Sequence, residues 1–140
     1  MLVEEVWDEL TTLRSSNPAV QQRAKAVVAR ASDFEFRSLA IGTPAAATYA
    51  ALRAGTKSRR DRGEDASIAL AAHDSALEFV TGDVAATFSA LAELPGRVVA
   101  FHPFLRRLHE QHDIAKATLA IAGAVPSIAA PTWWAPWLAS

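Results

Sequence analysis

Two hydrophobic rhythms alternate along residues 2–112, one of helical period and one that reverses at every residue. Leu2, Val3, Val6, Leu10 and Leu13 gather on one face at roughly 100° per residue, which predicts an amphipathic helix over residues 2–14. Ser15-Ser16-Asn17-Pro18 then turns the chain, with Asn17 placed to cap a second helix and Pro18 to lead it to about residue 31. Residues 34–41 alternate apolar and polar side chains until their end and read as a strand. Gly42-Thr43-Pro44 breaks that strand and starts a third helix, capped by Thr43, that runs to about residue 53 and stops at Gly55.

Gly63 opens an Ala-rich helix with Glu64 and Asp65 in its first turn, and the chain turns again near residues 73–75. Residues 77–81 form a short apolar run that reads as a strand and stops at Gly82-Asp83, where a helix from Val84 to about residue 94 begins. Pro95-Gly96 separates it from a strand over 97–101, and Pro103 starts a helix through about residue 111. Helix and strand alternating from residue 34 to 112 predict a parallel sheet flanked by helices. From Ala115 an Ala-rich helix gives way to an irregular tail at Pro126, Pro131 and Pro136, with Trp133, Trp134 and Trp137 crowding its end. Aromatics so placed pin a tail to its own domain or anchor a second copy or partner.

A chain of 140 residues, 51% hydrophobic and 21% charged, is expected to fold as one globular domain with its own core. No Cys is present, which removes disulfides, thiolate zinc sites and Cys nucleophiles together. The start, Met-Leu-Val-Glu-Glu, has acids where a signal peptide needs bases, and the longest apolar stretch, 117–131, is short of a bilayer span. No membrane segment and a cytoplasmic location are the expectation. A net charge of −1 is neutral on nucleic acid, but Arg53, Lys57, Arg59, Arg60 and Arg62 concentrate five of the 14 bases just ahead of Glu64. His109 and His112 share a helix face without a further ligand near, and His73 and His102 sit beside turns with no specific chemistry. Gly-rich phosphate loops and Ser–His–Asp orderings are absent from the sequence.

Asp83 stands where ligands collect in open α/β sheets, outside the carboxyl end of a strand. Carboxylates gathered there suit a hard cation such as Mg²⁺ or Mn²⁺. The same acids serve plain structural ends: Glu64 and Asp65 suit the positive end of a helix, and Asp83 suits a helix cap. Glu9 lies at the edge of the first helix's apolar face, beside Leu2 and Leu13, where a carboxylate can be half-buried and still reach a site.

Gly63-Glu64-Asp65-Ala66-Ser67-Ile68-Ala69-Leu70-Ala71, followed by Phe79-Val80-Thr81-Gly82-Asp83, resembles the second half of a PIN domain. PIN domains are metal-dependent ribonucleases, best known as the toxins of bacterial toxin–antitoxin pairs. In that family an acid opens an Ala/Ile-rich helix, and the next strand ends in a Thr-x-Asp turn that completes the metal site. Thr81 and Asp83 match that turn, Glu64 or Asp65 matches the helix acid, and Val6-Trp7-Asp8-Glu9-Leu10 is similar to an early helix whose Glu, here Glu9, joins them. The resemblance implies an α/β fold, a PIN-like three-layer sandwich over residues 1–114, followed by a C-terminal helix and Trp-rich tail over 115–140. It implies RNA cleavage with Mg²⁺ or Mn²⁺ held by Glu9, Glu64 or Asp65, and Asp83, and RNA held by Arg59, Arg60 and Arg62 beside Thr81. RNA, an antitoxin protein or a second copy would be the partners. The alternative is a non-catalytic PIN-like module that binds an antitoxin or itself.

One part of the family pattern is missing. PIN domains begin with a strand ending in Asp, whereas this sequence is expected to start directly in the helix that follows. A first strand encoded upstream and a degenerate domain lacking its central strand are the two accounts. In the second, residues 117–125 are apolar enough to cover the two sheet edges left exposed. With three acids and no fourth, weak metal binding and poor cleavage are expected.

Overall fold

The computed structural model describes residues 1–13, 16–55, 62–125 and 127–140. Among these the protein is mostly helical, with two short parallel two-stranded sheets, an α/β mixture. It divides into two compact units, Met1–Ser75 and Ala76–Ser140. No helix among the described residues is long and apolar enough to cross a membrane.

The first unit begins with β1 (Leu2–Val3), so the chain does not start directly in a helix as expected. Leu2 donates its N–H to the Glu35 carbonyl at 2.8 Å, and Val3 is 2% exposed. Two residues are too few for a period-2 pattern to stand out from the helical one that follows. The helix α1 (Glu4–Thr12) comes next, then α2 (Pro18–Val28), capped by Asn17, whose Oδ1 accepts the Ala19 N–H as expected. The expected strand over 34–41 contracts to β2 (Phe36–Arg37), preceded by a 3-10 turn over Ala31–Asp33. Its neighbour β1 lies parallel and offers only two residues, Leu2 beside Phe36 and Val3 beside Arg37. A ladder runs no further than its partner.

The helix α3 (Pro44–Gly55) starts at Thr43, whose hydroxyl accepts the Ala46 N–H, and packs on α4 (Arg62–His73). On α4 the buried residues Asp65, Ala66, Ile68, Ala69 and Ala71 point in nearly every direction, so this helix is the unit's centre and not an amphipathic cover. Alanine keeps its neighbours close. At Gly63 a Cβ would stand 2.5 Å from Val6 Cγ2 and 3.1 Å from the Val6 Cα, so glycine is what lets α1 cross here.

The second unit runs β3 (Phe79–Thr81), α5 (Val84–Glu93), β4 (Val98–Ala100), α6 (Phe101–His112), α7 (Lys116–Gly123) and α8 (Trp134–Ala139). β3 and β4 are parallel, Phe79 beside Val98 and Thr81 beside Ala100. Buried Leu105 of α6, Leu119 of α7 and Trp134 of α8 form the core, with Phe101, Phe104, Leu108 and Trp137 against it. Of residues 117–125, expected to cover sheet edges, 117–123 instead belong to α7, which packs on α6 and α8. The tail is likewise more ordered than expected: Pro136 falls in the first turn of α8, where no intrahelical N–H is needed. The Trp-rich end does pin itself to its own unit. By contrast α5 buries only Ala86 and Ala90 and leaves Val84, Phe88 and Leu91 at 70%, 71% and 50% exposure.

Candidate functional site

At the carboxyl end of β3 the Thr81-Gly82-Asp83 turn is held by its own hydrogen bonds. Asp83 donates its N–H to Thr81 Oγ1 at 3.0 Å, and its Oδ1 accepts the Ala86 N–H at 2.8 Å. Thr87 Oγ1 closes the turn by donating to the Asp83 carbonyl at 2.7 Å. Asp83 is thus the N-cap of α5, and the side chain stays exposed. A Cβ on Gly82 would collide with the Ile128 side chain, so only glycine lets that residue lie on the turn. Outside the carboxyl ends of β3 and β4 lies a crevice of about 300 Å³, walled by Thr81, Val84, Phe101, His102, Ile128 and Trp133 among others.

In the first unit, Glu9 Oε1 accepts the Gly63 N–H at 3.0 Å, which ties α1 to the N-terminal turn of α4. That turn carries Glu64 and Asp65, so three of the four sequence-predicted acids belong to one end of α4. Asp65 is 7% exposed and its Oδ2 accepts from Arg53 Nη1 at 3.0 Å. Glu64 is half-buried and engaged by neighbours. Asp83 belongs to the other unit. Arg59 and Arg60 lie outside the described residues. Arg62 is exposed and donates to the Tyr49 hydroxyl at 3.5 Å. That bond first, then the Tyr49 charge and the carboxylates of Glu5 and Asp8, hold its guanidinium above its ordinary value.

Two residues escaped the sequence pattern. Glu5, one turn before Glu9, has a buried Oε2 without a hydrogen-bond partner among the described residues. Its spacing of four from Glu9 was the available signal. His102 is 3% exposed, its Nε2 is 3.2 Å from the Gly123 carbonyl, and its ring stands edge-on to Trp134 at 4.9 Å. No local rule marks it, because Gly123 is 21 residues away.

No group of three or more Asp, Glu and His gathers to hold a metal among the described residues. Glu9 and Asp83, each within its own unit, spend one carboxylate oxygen on a backbone N–H, and a carboxylate has two. No family model, curated protein or solved structure matches the chain.

Proposed function

We propose that the chain is a PIN-like domain of the three-layer α/β kind, a weakened Mg²⁺- or Mn²⁺-dependent ribonuclease of the type found in toxin–antitoxin pairs. The observation that carries this is the Thr81-Gly82-Asp83 turn, which ends a strand of a parallel pair and leads without a break into a helix. Glu9, Glu64 or Asp65, and Asp83 are the metal ligands in this proposal. When bound, the metal lowers the pKa of its water and steadies charge on the phosphate. The Ala86 and Gly63 N–H groups hold the carboxylates of Asp83 and Glu9 in orientation, and Arg59, Arg60 and Arg62 hold the RNA backbone.

Asp83→Asn separates chemistry from folding, because asparagine caps a helix about as well as aspartate. It is expected to abolish the weak Mn²⁺-dependent cleavage of a fluorescent single-stranded RNA while leaving urea unfolding unchanged. Asp83→Ala is expected to lose cleavage and also about 1 kcal/mol of stability. Cleavage that survives Asp83→Asn, or that proceeds in excess chelator, would remove Asp83 and the metal from the mechanism.

A base that neutralises one phosphate of single-stranded RNA adds roughly 0.7 to the log–log salt slope of binding. Replacing Arg59, Arg60 and Arg62 together by Ala is therefore expected to flatten that slope by about 2. An unchanged affinity and slope across a salt series would leave these bases as solvated surface.

A second function, as a non-catalytic PIN-like interaction module, is favoured by the exposed Val84, Phe88 and Leu91 on α5. It predicts self-association in sedimentation that Phe88→Asp abolishes, with no RNA cleaved.

A further inference from the structure

The crevice at the carboxyl ends of β3 and β4 has walls of an unusual kind for a site beside an acid. Among the described residues that line it there is no Asp, Glu, Lys or Arg. A pocket of about 300 Å³ falls at the small end of the range for ligand sites, and apolar and aromatic walls with few polar groups are their usual make-up. An uncharged lining offers a phosphate or carboxylate no counter-charge. It offers a flat, neutral ring two aromatic walls, Phe101 and Trp133, and the Thr81 hydroxyl.

Charge appears only beyond the rim. The Arg106 guanidinium lies over the Trp133 ring, 5.9 Å from its centre, and Arg106 is itself exposed. Its bond to Glu110 is an ion pair between half-exposed side chains, a kind that contributes little and exchanges readily for another anion. A pocket without charged lining and with a cation against one aromatic wall matches a base that carries its phosphate outside. Aromatic platforms with cations beside them are how proteins take up unpaired bases.

We propose that this crevice binds one unpaired nucleobase of a single-stranded RNA, stacked on Trp133, with Arg106 on a flanking phosphate. The choice of RNA over other sources of the base rests on the ribonuclease function proposed above. The base site itself needs no metal, because no carboxylate lines it among the described residues.

The test is titration of the full chain with hexa-adenylate RNA in excess chelator, followed by fluorescence anisotropy, so that binding is read without cleavage. Trp133→Ala is expected to weaken binding roughly tenfold or more, the usual effect of removing one stacking platform. Trp133 also packs on the core, so a second variant is needed. Ala129→Phe adds bulk at an exposed rim position, and is expected to fill the crevice and weaken binding to the same extent without loss of circular dichroism signal. Hexa-adenylate with all but one base replaced by abasic sites should keep most of the Trp133-dependent affinity. Arg106→Ala should flatten the salt slope by roughly 0.7.

Equal binding by wild type and Ala129→Phe would overturn the proposal. So would free adenosine binding as tightly as the strand, which would assign the crevice to a small nucleoside. Asp83→Asn distinguishes this from failure of the ribonuclease function: if that variant and wild type bind RNA alike yet neither cleaves it, the base site stands alone. Cleavage that is intact in wild type, with RNA binding indifferent to both crevice variants, would leave the nuclease standing and remove the base site.

Discussion

Trp134→Ala is expected to cost about 3–5 kcal/mol, the usual range for truncating a buried large aromatic. Trp134 is 5% exposed and forms a core with Leu105 and Leu119. Its ring meets His102 edge-on at 4.9 Å and Trp137 at 5.2 Å. The backbone has been shaped to admit it, since a Cβ on Gly123 would stand 2.6 Å from Trp134 Cζ2. The same Gly123 carbonyl faces His102 Nε2, so removing the indole opens a cavity beside a buried polar contact as well. Urea unfolding followed by far-ultraviolet circular dichroism measures the loss. A change below about 1 kcal/mol would mean that the tail merely leans on α6. A cost in the expected range makes the last helix part of the second unit's core.

Asp65→Ala is expected to lower stability by about 2–3 kcal/mol in a metal-free, chelator-containing buffer. Removing one member of a fully buried ion pair costs about 3–5 kcal/mol, and the 20% exposure of the Arg53 side chain brings the figure down. The Asp65 carboxylate is only 10% exposed, and without it the Arg53 guanidinium keeps its charge in a largely desolvated place. A residue kept only to bind metal would show no loss without metal, so the buffer decides between the two roles. Stability unchanged in chelator, together with weaker Mn²⁺ binding, would make Asp65 the helix acid of the two. Asp65→Asn should recover part of the loss, because its amide oxygen can still accept from Arg53 Nη1.

The helix caps were legible because capping acts over three or four residues. Asn17, Thr43 and Asp83 each accept the N–H that their position in the sequence calls for. The positions of β2, β3 and β4 were legible too, but not their lengths. β2 was expected over 34–41 and is two residues long, since pairing ends where the neighbour does. The short β1 was hidden for another reason: Leu2 and Val3 fit the face of the next helix as well as they fit a strand.

The acids divide along the same line. That Glu64 and Asp65 open a helix and that Asp83 caps one follow from sequence alone, because those roles are met within one turn. That Asp65 belongs to Arg53 and Glu9 to the Gly63 N–H was decided by packing, which joins residues 12 and 54 apart. Hydrophobic period shows which face of a helix is buried and is silent about what it is buried against. The crevice shows this most plainly: its walls come from two strand ends, two helix starts and the segment that holds Ile128 and Trp133. The residues needed were all present in the chain's order, and only the tertiary structure turned their neutral, aromatic sides toward one another.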